Sequence, residues 1–397
     1  MVATTFKEST GDLDHMFKLH CALEAYGELL GGDEVDIDSS LGRSIQLGME
    51  SIDPSIDLKE GSYITLRMIK EGVIKVAKAT REAIRVLLEI VGNLYVKFTG
   101  SLGRVRGHQK AVSKRIGRLG NRVSYKQMEI SGINRLSVNG SFVGDSVEVL
   151  GAIRNISEHL LNKHPATVVK VARVCSRRFV DLVESNQGSS KKELAQAGMQ
   201  TFIDTLQAAV VPVVGQQPVK AGELSGSFTS GRYLRSEVMP GNWALVYTNL
   251  AEAVRGSGQS PDMYANVIKQ AFRIEFVELT LNTADRAPRT MDVPSIRTLT
   301  QLVDGISKIL DVAEKAEAGR RDFATVKTVV DDAIRQVMDV PEGSDGAANT
   351  TVIQMLGSMS EVLAAPMDSF THWVAVTLNI YLNFIDHCIK HYEVDGV

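Results

Sequence analysis

Apolar residues recur every three or four positions along most of the chain, which is the spacing of one face of an α-helix. The longest series runs from Ile64 to Tyr95, in a stretch without proline between Pro54 and Pro165. It predicts a long amphipathic helix or a helical hairpin, edged with lysine and arginine. Three glycines then permit a bend before a second helix that continues to Val123; they are Gly100, Gly103 and Gly107.

The same pattern predicts helices on both sides of this segment. Two short acidic helices are expected between residues 12 and 53, and helical spacing resumes over 147–161 and 166–184. After Pro294 the pattern is helical to the end of the sequence. Four helices are expected there, near residues 295–317, 321–338, 348–364 and 367–392.

Two regions favour β-structure. Ala244–Thr248 and the alternating residues Phe272–Phe276 are typical of two strands of a small sheet. Asn139-Gly140 lies between two short apolar runs and predicts a tight hairpin turn. The predicted fold class is therefore mainly α with a small antiparallel β element (α+β). An elongated helical N-terminal half precedes a mixed α/β part and a helical C-terminal part.

Charge divides the chain into blocks, although the formal net charge is only −3. Residues 1–60 contain 13 acidic and 4 basic residues, whereas residues 61–126 contain 15 basic and 3 acidic ones. Such asymmetry bears on partners rather than on fold. Charge and pattern together predict four segments. They are an acidic N-terminal segment at 1–60 that could be a propeptide, a basic helical domain at 61–184, a mixed α/β segment at 193–293 and a helical segment at 294–397.

The stretch Lys97–Lys126 contains basic residues but no Asp or Glu. Most of its cations are three or four residues apart, which would line them along one helix face. Such a face would neutralise phosphates without reading base sequence, and its binding would be sensitive to salt. Two alternatives are pairing with the acidic N-terminal block and contact with an anionic membrane surface. The candidate nucleic-acid-binding residues are Arg104, Arg106, Lys110, Lys114, Arg115, Arg118, Arg122 and Lys126.

Two other patterns are candidate sites of chemistry. Gly144–Ser146 is similar to the nucleophile block of some lipases, but Asp368 and His372 are one residue too far apart for the usual Asp-x-x-His partner. Ser146 would equally serve as a helix cap. His387 and His391 lack a second pair of metal ligands, and histidine is favourable near a helix C-terminus. We therefore predict that the protein is not an enzyme and expect no cofactor and no metal.

The cysteines and the apolar segments bear on the compartment. Cys21, Cys175 and Cys388 are few and far apart, which argues against a disulfide framework and suits a reducing environment. The N-terminal residues lack the pattern of a secretory signal. Ile84–Phe98 is too short and too charged to span a bilayer, so no membrane partner is expected.

Four segments occur in a recognisable order. They are the helix with Leu23–Tyr26, the segment Ile45–Asp53, the helix end Val96–Arg106 and the start of the mixed part at Met239–Val246. In this layout the chain resembles the internal head (inner body) proteins of phiKZ-like jumbo bacteriophages. The resemblance covers most of the chain but includes no catalytic motif.

The resemblance implies a structural protein inside the phage capsid, present in the host cytoplasm during assembly. Implied partners are packaged double-stranded DNA, other capsid proteins and a prohead protease, and a homo-oligomer stays open. Members of the family are often cleaved by this protease after a tripeptide made of a small residue, any residue and Glu. Removal of the acidic block by such a cleavage would uncover the basic stretch. The candidate sequences are Ala22–Glu24, Gly48–Glu50 and Ala221–Glu223.

Two other functions remain as alternatives. One is a cytoplasmic helical scaffold or a sequence-independent nucleic-acid-binding protein unrelated to virions. The other, more distant, is a hydrolase that uses Ser146. Detection in purified particles separates the first alternative from a virion protein, and salt-dependent DNA binding separates both nucleic-acid-binding hypotheses from the hydrolase.

Overall fold

The structure, a computed structural model, is mainly α-helical with several small antiparallel sheets, which confirms the predicted fold class. No helix in the part of the chain that it describes is long and apolar enough to cross a membrane. The structure describes residues 6–30, 34–52, 63–131, 133–185, 190–209, 217–220, 222–224, 233–249, 268–269, 272–281, 289–339 and 347–394.

The acidic N-terminal part forms two helices and a pair of two-residue strands. Leu23 of the first helix is buried with Ile45 of the second and with Ile69 at the start of the following helix. The two strands are antiparallel, with Val35 opposite Ile64. The elements are α1 (Phe6–Leu30), β1 (Val35–Asp36), α2 (Ser40–Ile52) and β2 (Tyr63–Ile64).

One helix of 51 residues, α3 (Leu66–Ile116), is the longest element, about 77 Å by the rise of an α-helix. It begins where the Thr65 side chain accepts a hydrogen bond from the Met68 amide. The predicted bend at the three glycines is wrong, because buried residues keep helical spacing through this region, from Phe98 to Gln109. The glycines lie on the exposed side of the helix, so the packing of the buried side holds it together. Likewise, the predicted second helix to Val123 is wrong, since α3 ends earlier and a strand follows.

Short strands separate α3 from the next helices. Asn139 and Gly140 have φ angles of 48° and 81°, the left-handed values that a tight two-residue hairpin requires, so the predicted hairpin is confirmed. A π-helical turn, His159–Lys163, directly follows one α-helix and directly precedes the next, so the three form a continuous helical segment. The elements are β3 (Leu119–Val123), β4 (Gln127–Ile130), β5 (Ser137–Val138), β6 (Ser141–Phe142), α4 (Val147–Glu158) and α5 (His164–Ser185).

The mixed part begins with a helix that was not predicted and continues as a four-stranded antiparallel sheet. The two predicted strands are confirmed as its first two neighbours, with Val246 opposite Glu275. The strand order is β10-β9-β8-β7. The elements are α6 (Lys191–Ala209), β7 (Gln217–Pro218), β8 (Tyr233–Arg235), β9 (Trp243–Thr248) and β10 (Ile274–Glu278).

The described residues of the C-terminal part form three helices where four were predicted. The predicted pair 348–364 and 367–392 is one helix that continues through Pro366. A proline removes one helical hydrogen bond, but Leu363, Met367 and Phe370 around it are completely or almost completely buried, and this packing keeps the helix continuous. The elements are β11 (Arg289–Asp292), α7 (Ile296–Glu314), α8 (Glu317–Asp339), α9 (Ala347–Ile389) and β12 (Tyr392–Val394).

Helices α3 and α9 pack against each other along the middle of the molecule, and α1, α7 and α8 pack on α3. A bidentate contact between Arg81 and Asp331, with Nε–Oδ1 at 2.6 Å, joins α3 to α8. The pairing of β3 with β12 brings the C-terminal residues to the end of α3, and the pairing of β4 with β11 brings the segment before α7 there. The basic stretch is therefore held between α7, α9 and these strands.

Candidate nucleic-acid interface

The basic stretch does not follow one helix. Lys97–Arg115 lie on the last part of α3, whereas Arg118 lies in the following turn, Arg122 in β3 and Lys126 between β3 and β4. The prediction that the last three continue one helix face is wrong, because the chain leaves the helix to pair with β12. The side chain of Arg122 lies outside the described residues.

The cations on α3 point in different directions around the helix. A helix turns by about 100° per residue, so Arg106, Lys110 and Arg115 cannot share one face. The buried face of this part of α3 includes Val105 and Val112. Lys110 projects away from it, whereas Arg106 and Arg115 lie beside it on opposite flanks.

Arg106 is neutralised by α7. Its Nη2 lies 2.6 Å from Oδ1 of Asp311, and its Nε lies 2.9 Å from Oε1 of Glu314. Its Nη1 also donates a hydrogen bond to the Ser307 hydroxyl at 3.1 Å. With only 16% of its side chain exposed, Arg106 serves the packing of α3 on α7.

Arg115 is engaged in the same way by α9. Its guanidinium forms an ion pair with Asp386, and Nε2 of His108 lies 2.9 Å from the other carboxylate oxygen. Burial opposes ionisation of Asp386, but hydrogen bonds from Arg115 and His108 outweigh it and hold the pKa of this carboxyl below its usual value. Part of the basic stretch is therefore neutralised internally, with α7 and α9 as the partners.

The acidic N-terminal helix lies along a different part of α3. Leu23 lies against Gly72, and both Phe17 and Ile84 lie against Gly357 of α9. These positions of α3 precede Lys97, where the basic stretch begins. The alternative in which the acidic block pairs with the basic stretch has no counterpart among the ion pairs of the described residues.

Four cations around the end of α3 are exposed and form no ion pair with a described residue. Tyr125 precedes Lys126 in the sequence and is 70% exposed, and its ring packs against that of His391 in a T-shaped arrangement. An exposed group of unpaired cations is what non-specific contact with a phosphate backbone requires. We call this group the basic surface; it consists of Lys110, Lys114, Arg118 and Lys126.

Arg104 belongs to a neighbouring open groove between α3 and α9, with a volume of about 1190 Å³. Lys97 lines the groove beside it, and Arg135 lines it from the short 3-10 helix Ile133–Leu136 before β5. Glu278 and Asp368 also line the groove, and burial raises the pKa of Asp368. Because it mixes both signs of charge, the groove is distinct from the basic surface.

A second group of exposed cations lies on α5 and at the π-helical turn before it. The sequence signal was available, since no Asp or Glu occurs between His159 and Val180, but it was missed because the segment is less dense in basic residues than the first. None of the four forms an ion pair with a described residue. We call this group the α5 surface; it consists of Lys163, Lys170, Arg173 and Arg177.

The other candidate sites have structural roles in the fold. The Ser146 hydroxyl accepts a hydrogen bond from the Val149 amide at 3.4 Å and caps α4, as one interpretation of the sequence held. His387 lies 3.1 Å, through Nε2, from the Glu129 carbonyl oxygen, and its ring contacts that of His391. No group of three or more metal-ligating side chains occurs among the residues that the structure describes.

The candidate cleavage sequences lie within folded elements as far as they are described. Ala22–Glu24 is inside α1 and Gly48–Glu50 is inside α2. Ala221 lies outside the described residues, while Glu223 is buried and its carboxylate lies 3.5 Å from Arg235. Use of any of them stays a prediction.

Comparison with known proteins gives one family. The family model described as phiKZ-like phage internal head proteins matches residues 7–387. No curated protein and no solved structure gives a significant match.

Proposed function

Because the chain belongs to the phiKZ-like phage internal head proteins, we propose that it is a non-enzymatic structural protein of the capsid interior that contacts packaged double-stranded DNA. The contact is made by the basic surface. The proposed partners also include other capsid proteins and a prohead protease, and the protein passes through the host cytoplasm during assembly.

The observation that carries this proposal is that the cations of the basic surface form no ion pair with any residue that the structure describes. Lys110, Lys114, Arg118 and Lys126 are exposed, whereas Arg106 and Arg115 are already neutralised by α7 and α9. The free cations are distributed over a helix end, a turn and a loop. This arrangement suits phosphate contacts, which carry no base sequence information, better than insertion of a recognition helix.

The proposal is tested by neutralising three cations of the basic surface, with Lys110→Gln, Lys114→Gln and Arg118→Gln combined. Each phosphate contact adds about −0.9 to the slope of log affinity against log salt, so four contacts give a slope of about −3.6. The affinity of the wild type for a random-sequence duplex should then fall about a hundredfold between roughly 50 and 200 mM salt. The triple variant should bind more weakly and should have a shallower slope than the wild type, because three of the phosphate contacts are lost. Fluorescence anisotropy measures both quantities.

The matched control makes the same change of charge elsewhere, at exposed cations of α1 and α2. Lys7→Gln, Lys18→Gln and Arg43→Gln combined should leave affinity and slope close to those of the wild type. A wild-type affinity that does not depend on salt would contradict the proposal. So would equal losses in the two triple variants, since binding would then depend on net charge and not on the basic surface.

A further inference from the structure

The α5 surface and the basic surface belong to different helices, which pack mainly against different neighbours. Helix α5 packs mainly against α6 and α8, while the last part of α3 packs against α7 and α9. Phe179 of α5 and Val112 of α3 nevertheless belong to the same buried core. The exposed cations of each helix project away from that core, so both groups are open to solvent.

On α5 the cations and the buried residues occupy opposite faces. Lys170, Arg173 and Arg177 are three or four residues apart, so they line one exposed face. Cys175 and Phe179, on the other face, are completely buried. Packing of the buried face therefore fixes the orientation of α5. The cations on the exposed face form no ion pair with a described residue and do not contribute to this packing.

The local electrostatics leave this face positive. Over the 22 residues from His159 to Val180 there are five lysines and arginines and no acidic residue. The positive charge of Arg173 favours ionisation of Asp322 of α8, but the two side chains do not form an ion pair. Acidic residues of α5 itself follow only in its last turns, at Asp181 and Glu184.

We propose that the α5 surface is a second binding site for the phosphate backbone of duplex DNA, so that one molecule joins two DNA segments. This inference rests on the proposed function, in which the basic surface holds the first segment. Each surface has four exposed cations of its own, so phosphate contacts made by the basic surface leave those of the α5 surface available. The second surface therefore takes a neighbouring segment, and the protein acts as a bridge within densely packed DNA.

The test uses the full chain and two duplexes of random sequence, one attached to beads and one fluorescent and free. Wild-type protein, at a concentration well below that of DNA, should carry the fluorescent duplex onto the beads at low salt. The α5 variant, with Lys170→Gln, Arg173→Gln and Arg177→Gln combined, should still bind the attached duplex but should recover the free one only at background level. A charge-retaining variant, with Lys170→Arg, Arg173→Lys and Arg177→Lys, controls for folding and should bridge like the wild type.

The outcomes separate this inference from the function on which it rests. If the α5 variant bridges as well as the wild type, the inference fails, and bridging then comes from association of copies that each use the basic surface. If the wild type binds duplex DNA but does not bridge it, the inference fails and the proposed function stands. If the wild type binds no duplex at all, both fail.

Discussion

Removal of residues 1–24, the segment that a cut after Glu24 would release, is expected to destabilise the protein by about 5–9 kcal/mol. The reason is that Leu13, Phe17 and Leu23 are almost completely buried, and each such side chain contributes about 1.5–3 kcal/mol. The loss is comparable with the total stability of a typical domain, about 5–15 kcal/mol. The truncated chain should therefore melt far below the full chain or fail to fold, as measured by circular dichroism.

A point substitution tests the same contact in a chain of full length. Phe17→Ala should lower the free energy of unfolding by about 3–5 kcal/mol, because Phe17 packs between α3 and α9 at Gly357. Lys18→Ala, on the exposed side of the same helix, should change it by less than about 0.5 kcal/mol. A truncated protein that melts like the full chain would show that α1 is not part of the core. On the present structure, cutting α1 after folding opens an apolar surface and leaves the basic surface as it was.

Acidification from about pH 6.5 to pH 4 is expected to weaken the fold through two histidines at the π-helical turn. Burial, with His164 and Lys163 nearby, lowers the pKa of His159 to about 4. Burial also lowers the pKa of His164, although the hydrogen bond to the Leu363 carbonyl oxygen at 2.7 Å opposes this. In the unfolded chain both have a pKa of about 6.5. Below that value the unfolded state binds protons that the folded state does not, so stability falls as the pH falls.

The expected size is about 1.4 kcal/mol per pH unit for each histidine that stays neutral in the folded state. For His159 the loss is complete below about pH 4, where the folded state is also protonated. Denaturant unfolding across this range should give a smaller dependence on pH for a variant with His159→Gln and His164→Gln than for the wild type. Carboxylates that titrate in the same range are present in both proteins and cancel in the difference. Equal dependence in the two proteins would show that these histidines ionise normally in the folded state.

Local patterns were sufficient for the elements whose stability is decided locally. Helical spacing predicted the first part of α3, all of α7 and most of α8, and the Asn139-Gly140 pair predicted its hairpin. Local signals failed where packing overrides them. Pro366 and the glycines at 100, 103 and 107 suggested breaks, but the buried faces of α9 and α3 continue past them.

The candidate site could be predicted only in part for a related reason. An acid-free stretch identifies cations, but whether a cation is free depends on residues far away in the sequence. Arg106 is neutralised by Asp311 and Arg115 by Asp386, each more than 200 residues away. The strand pair β3 with β12 is equally distant in sequence, and it decides where α3 ends. The sequence therefore indicated the region, and the structure shows that two of the eight candidates, Arg106 and Arg115, are neutralised while four lie exposed on the basic surface.

The central claim is that this internal head protein meets packaged DNA through the basic surface. Ultraviolet cross-linking of intact purified particles, followed by digestion and mass spectrometry, tests it most directly. The claim predicts that the protein is present in the particles and that nucleotide adducts map to peptides within residues 110–126. Absence of the protein from particles would contradict it. So would adducts that leave these peptides unmodified while marking other parts of the chain.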